Sequence, residues 1–260
     1  MTTSVSSQTA QPTVALFVSD LHLQASLPGT TAAFLAFLQT QAVRTRQLYL
    51  LGDIFEYWAG DDDLVTPYNQ QVAEALKAVQ AQGVDLFWMA GNRDFLVGEA
   101  FAAAAGLSLL PDPHVITEAG RRIALAHGDA QCTDDAAYMA FRAQVRQPAY
   151  QQQFLAMPLA QRKAIIEGMR KNSQQSNQDK AMEIMDVNAD AIDALFTQTG
   201  ANTLIHGHTH RPALHRLEGG RLRYVLPDWE YDVATPRGGW ISLTEDGQLH
   251  RFDAAGTEIG

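Results

Sequence analysis

Short apolar runs recur along the chain, and each closes on a polar cluster. "VALFVSD" (14–20), "QLYLLGD" (47–53), "LFWMAGN" (86–92), "RRIALAHGD" (121–129) and "NTLIHGH" (202–208) read as buried strands, since brief runs rich in β-branched and aromatic residues that stop at Gly, Asp or Asn carry strand signals. Helical patterns lie between them. "TAAFLAFLQTQAV" follows the first strand and "TPYNQQVAEALKAVQA" the second, where Thr66 is placed to cap and Pro67 suits the first helical position. "EAG" before Arg121 and "EGGR" at 218–221 read as hairpin turns. The expectation is an α/β fold with mixed sheets. No internal repeat is visible, and the only low-complexity stretch is the opening "MTTSVSSQTAQP", read as a disordered tail over residues 1–12 before a domain spanning 13–260.

Composition limits what this fold can do. A chain of 260 residues with 46% hydrophobic content can bury a sizeable core. No apolar run is long enough to cross a bilayer, and the opening residues lack a signal core. The single cysteine, Cys132, rules out an internal disulfide framework and fits a reducing cytoplasm. A net charge of -10 argues against a dedicated nucleic-acid binder, because phosphate contacts need a basic surface.

Candidate chemistry gathers at the strand ends. Asp20 and His22 ("SDLH"), Asp53 ("GD"), Asn92 ("GN"), His127 ("HGD"), and His208 with His210 ("GHTH") all lie just past an apolar run. In extended backbone, side chains at i and i+2 point the same way, so "DLH" and "HTH" can each aim two ligands into one cavity. Glycines at 52, 91, 128 and 207 allow tight turns there. The set is rich in imidazole and oxygen and free of thiolate, which favours Mn, Fe, Zn or Co over a structural cysteine–zinc site. Asp53 is the choice for a bridging carboxylate, being central in chain order and the only potential ligand in "LLGD". His206 is read as structural. Cys132 has no electropositive neighbour in sequence to activate it, and neither a serine elbow nor a phosphate-cradling glycine loop offers a rival nucleophile.

In this order the motifs "DLH", "GD", "GN", "HGD" and "GHTH", spanning residues 18–212, resemble those of the calcineurin-like metallophosphoesterases. The resemblance implies a β sandwich of two mixed sheets flanked by helices around a two-metal centre. Asp20, His22, Asp53 and His210 would hold one ion; Asp53, Asn92, His127 and His208 would hold the other. A hydroxide activated by two ions would be the nucleophile.

One departure narrows the substrate. Many members of the family carry a histidine after "GN", placed to protonate a departing alkoxide; this chain reads "GNRDF", with Arg93 there. Arginine cannot donate a proton at useful pH but can grip phosphate oxygens bidentately. A leaving group that needs no proton is itself a phosphate, whose second pKa is about 6. Cleavage of a diphosphate follows, unless Arg93 only binds substrate and a metal-held water acts as the acid.

The segment Tyr138 to Lys180 adds a second clue. It holds seven Lys or Arg (142, 146, 162, 163, 170, 171, 180) against two acids (Glu167, Asp179), in a chain that is otherwise acidic. Five methionines (139, 157, 169, 182, 185) lie in it or just past it. This reads as a helical insert over the active site, at about 135–187. It is either an ordinary packed subdomain or a lining for flexible acyl chains beside cations suited to an anionic lipid surface.

With "LGDIFEYWAGDD" (51–62), "HGDAQCTDD" (127–135) and "SQQSNQDKAMEIMDVN" (173–188), the closer resemblance within the family is to the UDP-2,3-diacylglucosamine diphosphatases of lipid A biosynthesis. It implies hydrolysis of UDP-2,3-diacylglucosamine to UMP and 2,3-diacylglucosamine 1-phosphate (lipid X), with two divalent ions, usually Mn2+. The setting would be the cytoplasmic face of the inner membrane, by peripheral contact and without an obligate protein partner. Asn92 and Arg93 would meet the phosphates, while Asp135, Ser173, Asn177, Lys180 and His208 would contact the acylated sugar phosphate. Each has an alternative: Asp135 as a helix cap, Ser173 and Asn177 facing solvent, Lys180 paired with an acid. Glu56 and the run Asp61–Asp63 either tune the metal shell from outside or form a solvated loop. The alternative function is that of a nucleotide or other phosphoesterase on the same centre, and the non-enzymatic one is a scaffold that has lost its metals.

Overall fold

Strand β1 (Thr13–Val18) shows how the layers arise. Its successive side chains point to opposite faces: Leu16 and Val18 enter one apolar cluster, Ala15 and Phe17 another. β2 (Gln47–Leu51) repeats the division, with Leu48 and Leu50 on one side and Tyr49 and Leu51 on the other. A strand apolar on both faces belongs in the middle of a stack.

The computed structural model describes residues 12–178 and 186–260, excluding the side chains of 171–178. Between β1 and β2 lies α1 (Pro28–Thr40). Then come α2 (Pro67–Gln80), β3 (Asp85–Met89), α3 (Glu99–Ala105), β4 (Ser108–Leu110), β5 (His114–Glu118) and β6 (Arg121–Leu125). Three consecutive helices follow, α4 (Ala136–Val145), α5 (Pro148–Leu155) and α6 (Leu159–Gln178), before α7 (Ala189–Thr199). The chain ends with β7 (Thr203–His206), β8 (Ala213–Arg216), β9 (Leu222–Val225), β10 (Gly239–Thr244), β11 (Leu249–Asp253) and β12 (Glu258–Ile259).

Two mixed sheets result, in the orders β12-β11-β10-β1-β2-β3-β4 and β5-β6-β7-β9-β8. Between them Phe17, Tyr49 and Met89 of the larger sheet meet Ile123, Leu125, Ile205 and Tyr224 of the smaller. Phe34, Phe37, Leu76 and Phe101 of α1 to α3 cover the larger sheet's outer face, and Ile192, Leu195 and Phe196 of α7 cover the smaller's. The fold is the expected sandwich of two mixed sheets flanked by helices.

All five expected strands form, and their register places the chemistry. β1, β2 and β3 run parallel with Val18, Leu50 and Trp88 abreast, so the segments carrying Asp20, Asp53 and Asn92 leave the sheet side by side. β6 and β7 are also parallel, with Leu125 beside Ile205, which delivers His127 and His208 to the matching edge of the smaller sheet. Both expected hairpins are present, β5 with β6 and β8 with β9. One local expectation fails: Thr66 occupies the N-cap of α2 but makes no cap hydrogen bond, because its hydroxyl donates instead to the Asp63 carbonyl at 3.1 Å. Pro67 stands in the first turn as expected.

Candidate metal centre

The strand-end side chains do not converge by simple strand alternation. Asp20, His22, Asp53, His208 and His210 have φ of 54°, 49°, 53°, 67° and 53°, and among the described non-glycine residues only Ala119 joins them in positive φ. Each such residue stores roughly 1–3 kcal/mol of strain, which persists only where the surroundings over-determine it. The two relevant glycine pairs act differently. Gly52 and Gly128 are required twice over, by φ of 88° and 117° and by histidine nitrogens that a Cβ would meet at 2.4 and 2.8 Å, whereas Gly91 and Gly207 are needed for closeness alone. A Cβ at Gly91 would stand 2.2 Å from Asp53 Oδ1, and one at Gly207 would stand 2.2 Å from Asp20 Oδ2.

Two groups form. Asp20, His22 and His210 lie together, as do Asp53, His127 and His208, each set with its ligand atoms within 4.8 Å of one another. Asn92 adjoins the second group, its Oδ1 3.0 Å from His127 Nε2. In the first, Asp20 Oδ2 accepts from the Ser19 hydroxyl and from the His208 amide at 2.9 Å. Its Oδ1, fully buried, has no hydrogen-bond partner among the described residues and lies 3.4 Å from His210 Nε2.

Ring orientations agree with ligation. His22 Nδ1 donates to Glu56 at 2.8 Å and His127 Nδ1 to the Leu51 carbonyl at 2.9 Å, so each would be left with Nε2 to give to a bound ion. His22 Nε2 and His210 Nε2 face each other at 3.3 Å. An orphaned buried carboxylate oxygen beside converging imidazole nitrogens, with no thiolate, is a donor set that fits divalent ions such as Mn, Fe, Zn or Co.

Electrostatics point the same way. Burial alone would lower His127, but the charges of Asp53, Asp129 and Asp20 with the Leu51 carbonyl hold it up at about 9. Burial pushes Asp20 up, yet the His210 imidazole close beside it, with the charges of His127 and His22, brings it well below the usual carboxylate range. The second group's His208 is driven down to about 4 by burial and by the charge of His127. The carboxylates that hold His127 up would equally favour a divalent cation among them, and the charge of His127 that pushes His208 down is what such a cation would replace. His206 joins neither group: it is buried, its Nδ1 donates to Gly207 O at 2.9 Å, and its Nε2 accepts from Arg223 at 3.2 Å.

The calcineurin-like phosphoesterase family matches residues 14–212. The chain belongs to this family. Among curated relatives, the UDP-2,3-diacylglucosamine hydrolase of Aromatoleum aromaticum is 53% identical over 84% of this chain and 90% of its own length. The enzyme of the same name from Ralstonia nicotianae is 48% identical over 90% of each chain, and that from Sodalis glossinidius 45% identical over 93% and 99%.

In this phosphoesterase both ligand groups open into one cavity of about 670 Å³. Its lining joins His22, Asp53, Asn92, Arg93, His208 and His210 with Phe141, Val145, Tyr150, Phe154, Ile166 and Met169 of α4 to α6. Asp135 faces the same cavity and also caps α4, accepting from the Tyr138 amide at 3.0 Å. Ser173 and Asn177 have side chains outside the described set, and Lys180 lies outside the described residues. Cys132 also lines the cavity, and burial together with the charges of Asp129, Asp186 and Asp135 pushes its thiol up to about 12, an inert state.

Two carboxylates here, Asp94 and Asp129, escaped sequence reasoning, and a third, Glu56, is open to two readings from sequence alone. Asp94 is fully buried and accepts from the backbone amides of Gly91 and Ile54, both at 2.8 Å, stitching the loops after β2 and β3 together. Asp129 accepts from Tyr138 Oη at 2.6 Å and Arg142 Nε at 2.8 Å, which sets the Tyr138 ring against that of His208. Glu56 is no solvated loop residue, being buried between His22 and Arg170. Burial pushes its carboxyl up, but His22, Arg93 and Arg170 hold it down at about 2. The acidic run is likewise structural: Asp61 accepts from the amides of Gly98, Ala100 and Phe101, capping α3, while Asp62 and Asp63 hold Arg162 and Lys163 of α6.

Proposed function

We propose that this phosphoesterase hydrolyses the diphosphate of UDP-2,3-diacylglucosamine, the substrate named for its relatives, to UMP and 2,3-diacylglucosamine 1-phosphate in lipid A biosynthesis. The observation that carries the reading is the single cavity lined both by members of two candidate ligand groups and by aromatic and aliphatic side chains of α4 to α6. A headgroup phosphate and an acyl chain have a place in one chamber.

Asp20, His22, Asp53 and His210 would hold one divalent ion, and Asp53, Asn92, His127 and His208 a second, with Asp53 bridging and Mn2+ the working metal. When bound, such a pair supplies a low-pKa water and neutralises charge on the phosphoryl oxygens. The chain's own residues do the rest. Glu56 and the Leu51 carbonyl fix the tautomers of His22 and His127. Arg93, with its guanidinium 3.7 Å from Glu56 at the cavity wall, grips the diphosphate oxygens and donates no proton. None is needed, because the departing group is a phosphate. Water oxygen joins the uridine-side phosphorus, and the bridging oxygen leaves with the sugar phosphate.

Asn92 and Arg93 meet the phosphates; Asp135 and His208 approach the acylated sugar, and Ser173, Asn177 and Lys180 are assigned there by family resemblance. Helices α4 to α6 act as a cap over the centre. Among the described residues no helix is long and apolar enough to cross a membrane, so contact with the inner membrane's cytoplasmic face would be peripheral. A substrate panel tests the reading: UDP-2,3-diacylglucosamine is expected to be cleaved far faster than nucleoside monophosphates or simple phosphodiesters. Equal or faster turnover of those simpler esters would favour a general phosphoesterase instead.

A further inference from the structure

A second cavity, of about 560 Å³, opens on the far side of His210. Its walls include Asp228, Arg237, Trp240, Arg251 and Phe252, and His210 is the one described residue that lines both cavities. We propose that this second cavity is the nucleoside subsite, holding the uridine that stays attached to the attacked phosphorus. The inference rests on the diphosphate reading above and extends it to the half of the substrate that reading leaves unplaced.

Connectivity is the first argument. The attacked phosphorus must lie at the ligand groups, and the leaving sugar with its acyl chains needs the larger chamber under α4 to α6. The nucleoside must then depart from the ligand groups in another direction. The second cavity starts at one of those ligands, and its volume falls in the range of ordinary small-ligand pockets.

Chemistry is the second. Trp240 and Phe252 sit opposite each other on β10 and β11 with rings stacked 5.2 Å apart at 15°, and Trp240 is only 8% exposed, so the wall is flat, apolar and rigid. Such surfaces suit a base. Arg237 is held against Asp228 at 2.7 Å, so the donor left for the carbonyl oxygens of uracil is Arg251, whose Nη1 alone is engaged among the described residues, by the Gly260 carbonyl at 2.9 Å. The second oxygen of Asp253 can accept from a ribose hydroxyl, its Oδ1 being taken by the amides of Ala255 and Thr257. Mixed cations and carboxylates would suit an anionic headgroup poorly, but a nucleoside is neutral. The loop over this cavity is pinned, because Glu230 and Arg237 exchange backbone hydrogen bonds at 2.9 and 3.0 Å.

The test is calorimetric titration of the Mn2+-loaded full chain with UMP and, separately, with 2,3-diacylglucosamine 1-phosphate. Two variants are compared with the unmodified protein: Arg251→Ala, and Ala255→Trp, which fills the cavity from an exposed turn and spares the core. Each is expected to weaken UMP binding about tenfold, to leave the sugar-phosphate product within about twofold, and to raise KM more than it lowers kcat. Unchanged UMP affinity in both variants would overturn the subsite, as would selective loss of the acylated product, which would give this cavity to an acyl chain. Failure of the unmodified chain to release UMP from UDP-2,3-diacylglucosamine would overturn the substrate reading, and the subsite with it.

Discussion

Asp53 stands where three loops meet. Its carbonyl accepts from the His22 amide at 3.0 Å, its Oδ1 from the Arg93 amide at 2.8 Å, and its carboxylate belongs to the second ligand group. If it bridges, Asp53→Ala is expected to abolish binding at both sites, read as metal content per chain; retention of one ion with near-normal turnover would refute the bridge. Arg93→His is expected not to accelerate diphosphate cleavage, since a departing phosphate needs no proton, and a faster variant in steady-state kinetics would show that protonation had been limiting. Asp94→Asn places an amide against the amides of Gly91 and Ile54, with an expected stability loss of about 1–3 kcal/mol by denaturant unfolding. The seven proposed ligands were legible in the sequence because each directly follows an apolar run. Glu56 was open to two readings there and Asp94 was missed, because their roles depend on which imidazole or amide they meet across 34 and 40 positions of chain.

At the scale of elements, helices α4 to α6 look basic in sequence yet turn their described cations inward. Arg142 meets Asp129, Arg146 donates to the Gly91 carbonyl at 2.8 Å, Arg162 and Lys163 meet Asp62 and Asp63, and Arg170 meets Glu56. The charge excess that suggested a lipid-facing surface instead fastens these helices to the loops of the centre, a pairing no one-dimensional count can reveal. Arg162 is 2% exposed and also donates to the buried Ala59 carbonyl. Arg162→Ala should therefore loosen the cap, seen as faster local hydrogen exchange in α6. Under the proposed peripheral contact with a membrane, attachment would fall to apolar side chains such as Val65 and Leu155, 71% and 41% exposed. A Val65→Glu, Leu155→Glu double variant is expected to lose sedimentation with phosphatidylethanolamine–phosphatidylglycerol vesicles while still cleaving detergent-dispersed substrate. Undiminished sedimentation would move the contact elsewhere.

For the whole molecule, the sandwich explains why so many ligand types come from one chain. Parallel β1, β2 and β3 deliver carboxylates and an amide along one sheet edge, and parallel β6 and β7 deliver imidazoles along the other. The family resemblance implied the layering of the strands, and continuous apolar runs made the five strands themselves legible beforehand. The left-handed backbone at five of the proposed ligands was not, because it is imposed by loops packing on one another rather than by local preference. The central claim is that this scaffold holds a two-metal diphosphatase. Its most direct test is to strip the purified chain of metal, add UDP-2,3-diacylglucosamine with and without Mn2+, and measure UMP beside bound metal. UMP release that appears only with Mn2+ and saturates at about two ions per chain is the expected result. Release without metal, or two bound ions with no UMP formed, would contradict it.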